Sequence, residues 1–217
     1  MRPRRSVLFM PGSNARALEK ARTLPADVLV FDLEDAVAPE MKVEARAQVL
    51  AAVRAGGYGP REVIVRLNGP GTPWGADDLA AVAQAPVDAV LLPKVESAET
   101  VTAALTRLGP TPDVWCMLET PRGVLNAAAI AAASPRVGAL VMGTSDLTKD
   151  LHARPTRDRI PLLTSLELCV LAARAAGITA LDGVHLDLDD VAGFAAACRQ
   201  AAGLGFGGQT RVHPRQV

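Results

Sequence analysis

The sequence is poor in aromatic residues, balanced in charge and free of long apolar runs. Aromatics make up 3% of its 217 residues, which argues against a surface that stacks nucleic-acid bases. Lysine plus arginine equals aspartate plus glutamate, at 23 each. No global field therefore attracts nucleic acid or an anionic membrane. No stretch approaches the roughly 18 apolar residues needed to cross a bilayer. Cys116, Cys169 and Cys198 are scattered, odd in number and without metal-site spacing. A reduced, cytoplasmic protein is expected. His152, His185 and His213 share no His-x-x-x-His spacing, and there is no Walker loop and no Gly-x-Ser-x-Gly elbow. These gaps exclude the familiar helical zinc pair, the P-loop and the α/β-hydrolase nucleophile. The basic N-terminus leads into a short apolar run ending at Pro11-Gly12. It lacks a small-residue cleavage site, so no signal peptide is expected.

What is present is an ordinary globular composition, 49% hydrophobic and 21% charged. Short apolar runs at 7–10, 28–31, 63–65, 89–92, 114–118, 137–142, 178–181 and 206–212 read as eight strands. Between them, Ala- and Leu-rich stretches near 14–24, 40–55, 76–85, 98–108, 123–133, 162–176 and 190–203 read as helices. Continuous apolar strands alternating with helices point to one parallel α/β domain over residues 1–217. The strand count favours a closed (β/α)8 TIM barrel, with an open doubly wound sheet as the alternative. Such a barrel typically takes about 250 residues. Eight strands but seven helices imply that the last helix is missing from this chain.

Nearly every strand ends in a polar cluster. In a parallel barrel those ends share one rim, which is where active sites are built. Asp32, Glu34, Asp35, Arg66, Asn68, Lys94, Glu96, Glu119, Asp146, Asp182 and His213 can converge there. Strands also simply stop where polar residues begin. Glu119 and Asp146 directly follow strands five and six. Two carboxylates with open positions suit Mg²⁺, which keeps waters and takes substrate oxygens; as a plainer alternative they cap loops. Arg66 presents a fixed fork for a carboxylate or oxyanion, or forms a buried ion pair with a neighbouring acid. Pro11-Gly12-Ser13-Asn14 opens a helix that can face an anion. Arg16 and Lys20 share one helix face and can meet phosphates; such pairs are usually just solvated. Lys94 can form a Schiff base or pair with Glu96, Asp32 or Glu34. Residues 148–161 carry Lys149, His152, Arg154, Arg157 and Arg159, a solvated loop or a contact with substrate or another subunit.

Arg5-Ser-Val-Leu-Phe-Met-Pro-Gly12, Val30-Phe-Asp-Leu-Glu-Asp-Ala-Val37, Val65-Arg-Leu-Asn68 and Leu92-Pro-Lys-Val-Glu-Ser97 occur in order. Leu118-Glu-Thr-Pro-Arg-Gly-Val124, Gly143-Thr-Ser-Asp-Leu147 and Val212-His-Pro-Arg-Gln-Val217 follow them. Together they resemble the citrate lyase beta subunit-like family of the HpcH/HpaI aldolase superfamily, from about Arg5 to Val217. The resemblance implies a (β/α)8 barrel that uses Mg²⁺ to cleave or form the C–C bond of a 3-hydroxyacyl-CoA. Malyl-CoA, citramalyl-CoA and β-methylmalyl-CoA are the implied substrates, giving an oxoacid and an acyl-CoA. Glu119 and Asp146 match the metal ligands and Arg66 the contact to the oxoacid end. Asp32, Glu34, Asp35 and Lys94 would form a supporting shell. Phe9, Arg16 and Lys20 fall where relatives contact substrate or CoA, although Phe9 replaces a tyrosine of some relatives and Arg16 a lysine. The stretch from Gly143 to Leu151 also resembles relatives that hydrolyse malyl-CoA, so a thioesterase is the alternative activity. Relatives continue into a closing helix and a C-terminal lid, from which a neighbouring subunit supplies a catalytic aspartate. The resemblance thus implies a homo-oligomer, a trimer or hexamer, and a lid missing from this chain. Without that base, a barrel that binds CoA esters without catalysis is a further alternative.

Overall fold

The computed structural model describes residues 2–217. Eight parallel strands close into a barrel in sequence order. They are β1 (Ser6–Pro11), β2 (Val28–Asp32), β3 (Glu62–Arg66), β4 (Ala89–Leu92), β5 (Asp113–Leu118), β6 (Val137–Met142), β7 (Thr179–Asp182) and β8 (Gly208–Arg211). Closure is direct: Val7 pairs with Thr210 and Leu8 with Arg211. The open-sheet alternative is thereby excluded, and the fold is a (β/α)8 barrel.

Alternation along each strand sets the two layers. On β2, Val28 and Val30 belong to the lumen while Leu29 and Phe31 belong to the outer core against the helices. Ile64, Leu91, Trp115, Met117, Val141 and Leu181 complete the lumen packing. The same alternation carries Asp32 and Arg66, at the ends of β2 and β3, to the lumen side of the rim.

The helices are α1 (Ala15–Lys20), α2 (Lys42–Ala55), α3 (Gly75–Val82), α4 (Ala98–Leu108), α5 (Pro121–Leu125), α6 (Ala127–Ala131), α7 (Thr144–Asp150), α8 (Leu163–Ala175) and α9 (Val191–Leu204). Two expectations change. The single helix expected near 123–133 breaks at Asn126, whose ψ of 8° ends α5 before α6 begins. Residues 144–150, expected as the strand end and loop, form α7, with Asp146 in its first turn. The anion reading of Pro11-Gly12-Ser13-Asn14 also fails. α1 has 6 residues, and Asn14 fills its N-terminus with its own side chain, which accepts from Ala17 N. After β8 comes a short 3-10 turn over Pro214–Gln216, with no further α-helix among the described residues. No described helix is long and apolar enough to cross a membrane.

At the N-terminal end of the strands, Arg4 closes the barrel floor. It donates to both oxygens of Glu62, at 2.7 and 2.9 Å. Its remaining donors reach Gly138 O at 2.8 Å and Thr179 Oγ1 at 3.2 Å. Its guanidinium lies 4.6 Å from the centre of the Trp115 ring.

Candidate active site

The C-terminal rim encloses a cavity of about 370 Å³. One side is charged, with Asp32, Asp35, Arg66, Glu119 and Asp146. The other is apolar, with Phe9, Met142, Val184, Leu186 and Val212. Strands β2 to β6 supply most of the charge, while β1 and the segments after β7 and β8 supply most of the apolar wall.

Arg66 is the hub of the charged side. Asp32, 1% exposed, accepts Arg66 Nε at 2.7 Å and Nη2 at 2.6 Å in a two-bond clasp. Arg66 Nη1 lies 2.9 Å from Glu34 and 3.3 Å from Asp35. Its face covers the Phe9 ring at 4.9 Å. Burial alone would lower the Arg66 pKa; Asp32, Glu34 and Asp35 outweigh it and raise the pKa further. Of the two roles weighed from the sequence, the buried ion pair is present, and Asp32 holds the guanidinium where Arg66 also lines the cavity.

The loop after β2 is held rigidly. Asp32 also accepts from the backbone N–H groups of Glu34 and Ala36, at 2.8 and 3.0 Å. Beneath the loop, the Lys42 ammonium donates to the carbonyls of Leu33 and Glu34, both at 2.7 Å. Lys42 is 5% exposed, and burial pulls its pKa down against the nearby acids. Sequence reasoning missed it, because a lysine opening a helix reads as solvated.

Lys94 sits at the centre of the remaining acids. Its φ of 49° is unusual for a side-chain-bearing residue. Its backbone N–H donates to Glu119 Oε1 at 2.8 Å. Its ammonium lies 2.9 Å from Glu34, 3.2 Å from Asp146 and 3.9 Å from Glu119. Of the partners expected for Lys94, Glu34 is found; Glu96 instead approaches Arg122, at 3.9 Å. Burial would lower the Lys94 pKa, but Glu34, Glu119 and Asp146 raise it overall. A charged amine is no nucleophile, so the geometry disfavours the Schiff-base reading. Burial, reinforced by Glu34, pushes the Glu119 carboxyl up to about 7. Gly143 makes room for that carboxyl: a Cβ there would lie 2.5 Å from Glu119 Oε2.

Five carboxylates, Asp32, Glu34, Asp35, Glu119 and Asp146, thus face two cations, Arg66 and Lys94. The excess of negative charge is carried by hard oxygen donors around the rim cavity, from the buried Glu119 to the half-exposed Asp146. That chemistry fits a divalent cation such as Mg²⁺, which needs few protein ligands. Glu119 and Asp146 would hold it.

Other expected rim residues do local work. Asn68 donates to the fully buried Asp78 at 2.6 Å. Asp182 takes Arg159 Nη1 at 2.9 and 2.7 Å. His213 Nδ1 accepts from Arg215 N. Arg16 and Lys20 are exposed on α1 and do not line the cavity. The segment 148–161 is anchored through Arg159 and, with Arg154, Arg157 and His185, lines a second cavity of about 510 Å³. That cavity shares Thr144, Ser145, Val184 and Leu186 with the first.

Known proteins share this architecture. The HpcH/HpaI aldolase/citrate lyase family matches residues 5–214. A (3S)-malyl-CoA thioesterase from Cereibacter sphaeroides is 49% identical over 215 residues, covering 99% of this chain and 75% of that protein. A citrate lyase beta subunit from M. tuberculosis, solved with oxaloacetate and magnesium, aligns with a TM-score of 0.86 at 36% identity. The alignment covers 99% of this chain and 94% of that one. CitE from Mycobacterium tuberculosis, solved with magnesium, acetoacetate and coenzyme A, gives a TM-score of 0.85 at 37% identity, covering 99% and 78%. With the family matched along nearly the whole barrel, the chain belongs to the HpcH/HpaI aldolase/citrate lyase family.

Proposed function

We propose that this chain is a Mg²⁺-dependent enzyme acting on the CoA thioester of a small 3-hydroxy acid of the malyl-CoA class, and that it hydrolyses the thioester. The observation that carries the reading is the rim cavity itself, where Glu119 and Asp146 stand beside the clasped fork of Arg66 and opposite an apolar wall. The choice of hydrolysis rests on the 49% identity to a (3S)-malyl-CoA thioesterase.

Each part of such a substrate finds a matching group. Arg66, preorganised by Asp32, binds the distal carboxylate and does not reorganise as charge develops. Phe9, Met142, Val184, Leu186 and Val212 offer an apolar wall for the acyl portion of the substrate. Glu119 and Asp146 would hold a Mg²⁺ ion, which when bound would supply Lewis-acid polarisation of the substrate oxygens. In hydrolysis, water adds to the thioester carbonyl and the C–S bond breaks; one proton of that water ends on the departing CoA thiolate, the other passes to solvent, and the acid leaves as its carboxylate. Arg16 and Lys20 take the phosphates of the CoA tail from the outer face of α1. The same reading includes a single domain over residues 1–217 and a homo-oligomer.

A second reading is C–C cleavage into an oxoacid and an acyl-CoA. It is favoured by Arg66 and the acid pair, which suit an oxoacid as well as a hydroxy acid, and by the relative solved with oxaloacetate and magnesium. Mass spectrometry of the products from malyl-CoA with Mg²⁺ separates the readings. Free CoA with intact malate supports hydrolysis. Glyoxylate with acetyl-CoA supports the lyase instead. Binding without either product leaves a CoA-ester-binding barrel.

A further inference from the structure

We infer that Lys94 is the resident counter-ion of the Glu34–Glu119–Asp146 cluster and competes with a divalent cation for it. The inference builds on the proposed cation site at Glu119 and Asp146. Its basis is the position of one ammonium among acids from three different strand ends. Lys94 Nζ is 2.9 Å from Glu34 after β2, 3.9 Å from Glu119 after β5 and 3.2 Å from Asp146 after β6. The other cation, Arg66, is already clasped by Asp32 and contacts Glu34 and Asp35. Lys94 is therefore the group that offsets repulsion between Glu119 and Asp146.

Two features make Lys94 displaceable. Its side chain is 46% exposed, against 9% for Arg66. An ammonium on a flexible four-carbon stem can withdraw into water, which a clasped guanidinium cannot. Its backbone hydrogen bond to Glu119 does not depend on where the side chain lies. Glu119 therefore stays oriented when the ammonium leaves. The residue orients one carboxylate through its backbone and neutralises the cluster through its side chain.

The two occupants are both positive and cannot share the same oxygens without cost. Lys94 then stabilises the cation-free protein and raises the cation concentration needed to fill the site. A purely structural role for Lys94 predicts that its loss weakens both folding and cation binding. Competition moves the two in opposite directions.

The test is calorimetric titration of MgCl₂ into the wild type, Lys94→Met and Lys94→Gln, with melting curves in chelator. The expected result is Mg²⁺ binding about tenfold tighter in both variants, with a cation-free Tm lower by about a few degrees. Lys94→Arg, which keeps the charge, should stay nearer the wild type in both measurements. Variants that bind Mg²⁺ equally or more weakly, beside a wild type that binds it, overturn the competition and leave the cation site standing. Silent titrations in all proteins overturn the cation site and the competition with it. Should Lys94→Met fail to fold, Lys94→Gln, which retains a polar tip, decides the matter.

Discussion

The two ends of the barrel use the same chemistry to opposite effect. On the floor, Arg4 meets Glu62, and its other donors are taken by Gly138 O and Thr179 Oγ1. One cation meets one anion and the network closes. On the rim, Arg66 meets Asp32 in the same two-bond manner, but three further carboxylates crowd around Lys94 and a fourth, Asp35, flanks Arg66. The floor satisfies its charges; the rim leaves negative charge in excess. A buried arginine–carboxylate clasp is thus a stability device where its surroundings balance it. Where they do not, it becomes the fixed part of a site.

The largest expected effect tests the rim. Glu119→Gln or Asp146→Asn should lower turnover of a malyl-CoA-type substrate by about a thousandfold or more, with the circular dichroism of the folded barrel retained. Turnover close to wild type in either variant removes the acid pair from the site. The floor should respond the other way. Arg4→Met leaves Glu62 without its partner and should cost about 3 kcal/mol of stability, or about 6 °C or more in Tm. Turnover measured well below that Tm should be nearly unchanged. A large loss of activity in folded Arg4→Met would break the division between the two ends.

A smaller effect sharpens the comparison through pH. The Glu119 carboxyl titrates near 7 in the folded chain, against 4.5 for its ordinary value. Between those values the unfolded chain has lost a proton that the folded chain still holds, so stability falls as pH rises. In chelator, Glu119→Gln should therefore melt about a few degrees above wild type at pH 8, with the gap closing toward pH 4.5. Scanning calorimetry at the two pH values checks it, and an equal gap at both discounts the burial of that charge. The smallest effect concerns the wall between the ends. Burial pushes the Cys116 and Cys169 thiols up to about 12, whereas Cys198 is half-buried. Iodoacetamide at pH 8 should label Cys198 first; early label at Cys116, on β5, would show the wall to be open.

Strands were legible because buried parallel strands are continuous apolar runs, and the barrel followed from counting them. Glu119 and Arg66 were legible as polar residues at the ends of those runs, whereas Asp146 lies four residues past β6, inside α7. Less accessible was α7: in Thr144–Asp150, Thr144 and Leu147 are the buried residues, so no apolar period marks it. The place of Lys94 was also hidden. Its positive φ turns it inward onto Glu34 and Asp146, and nothing in Leu-Pro-Lys-Val specifies that turn. Asp182 ends β7 as Arg66 ends β3, and Asn68 and His213 each lie two residues past a strand, yet all three serve local hydrogen bonds. A list of strand ends marks the rim but does not say which side chains face the cavity.

The ammonium of Lys42 under the acidic loop bears on where the mouth can yield. Two carbonyls of adjacent residues held by one buried charge make that loop a strut rather than a hinge. The opposite lip carries Leu186, 64% exposed, and Leu188. Local opening is therefore expected first at the greasy lip, and the charged one is braced against it. Backbone amides at 33–37 should exchange with deuterium far more slowly than those at 184–188. A lip braced in this way would keep the acids it carries in place whatever the opposite lip did.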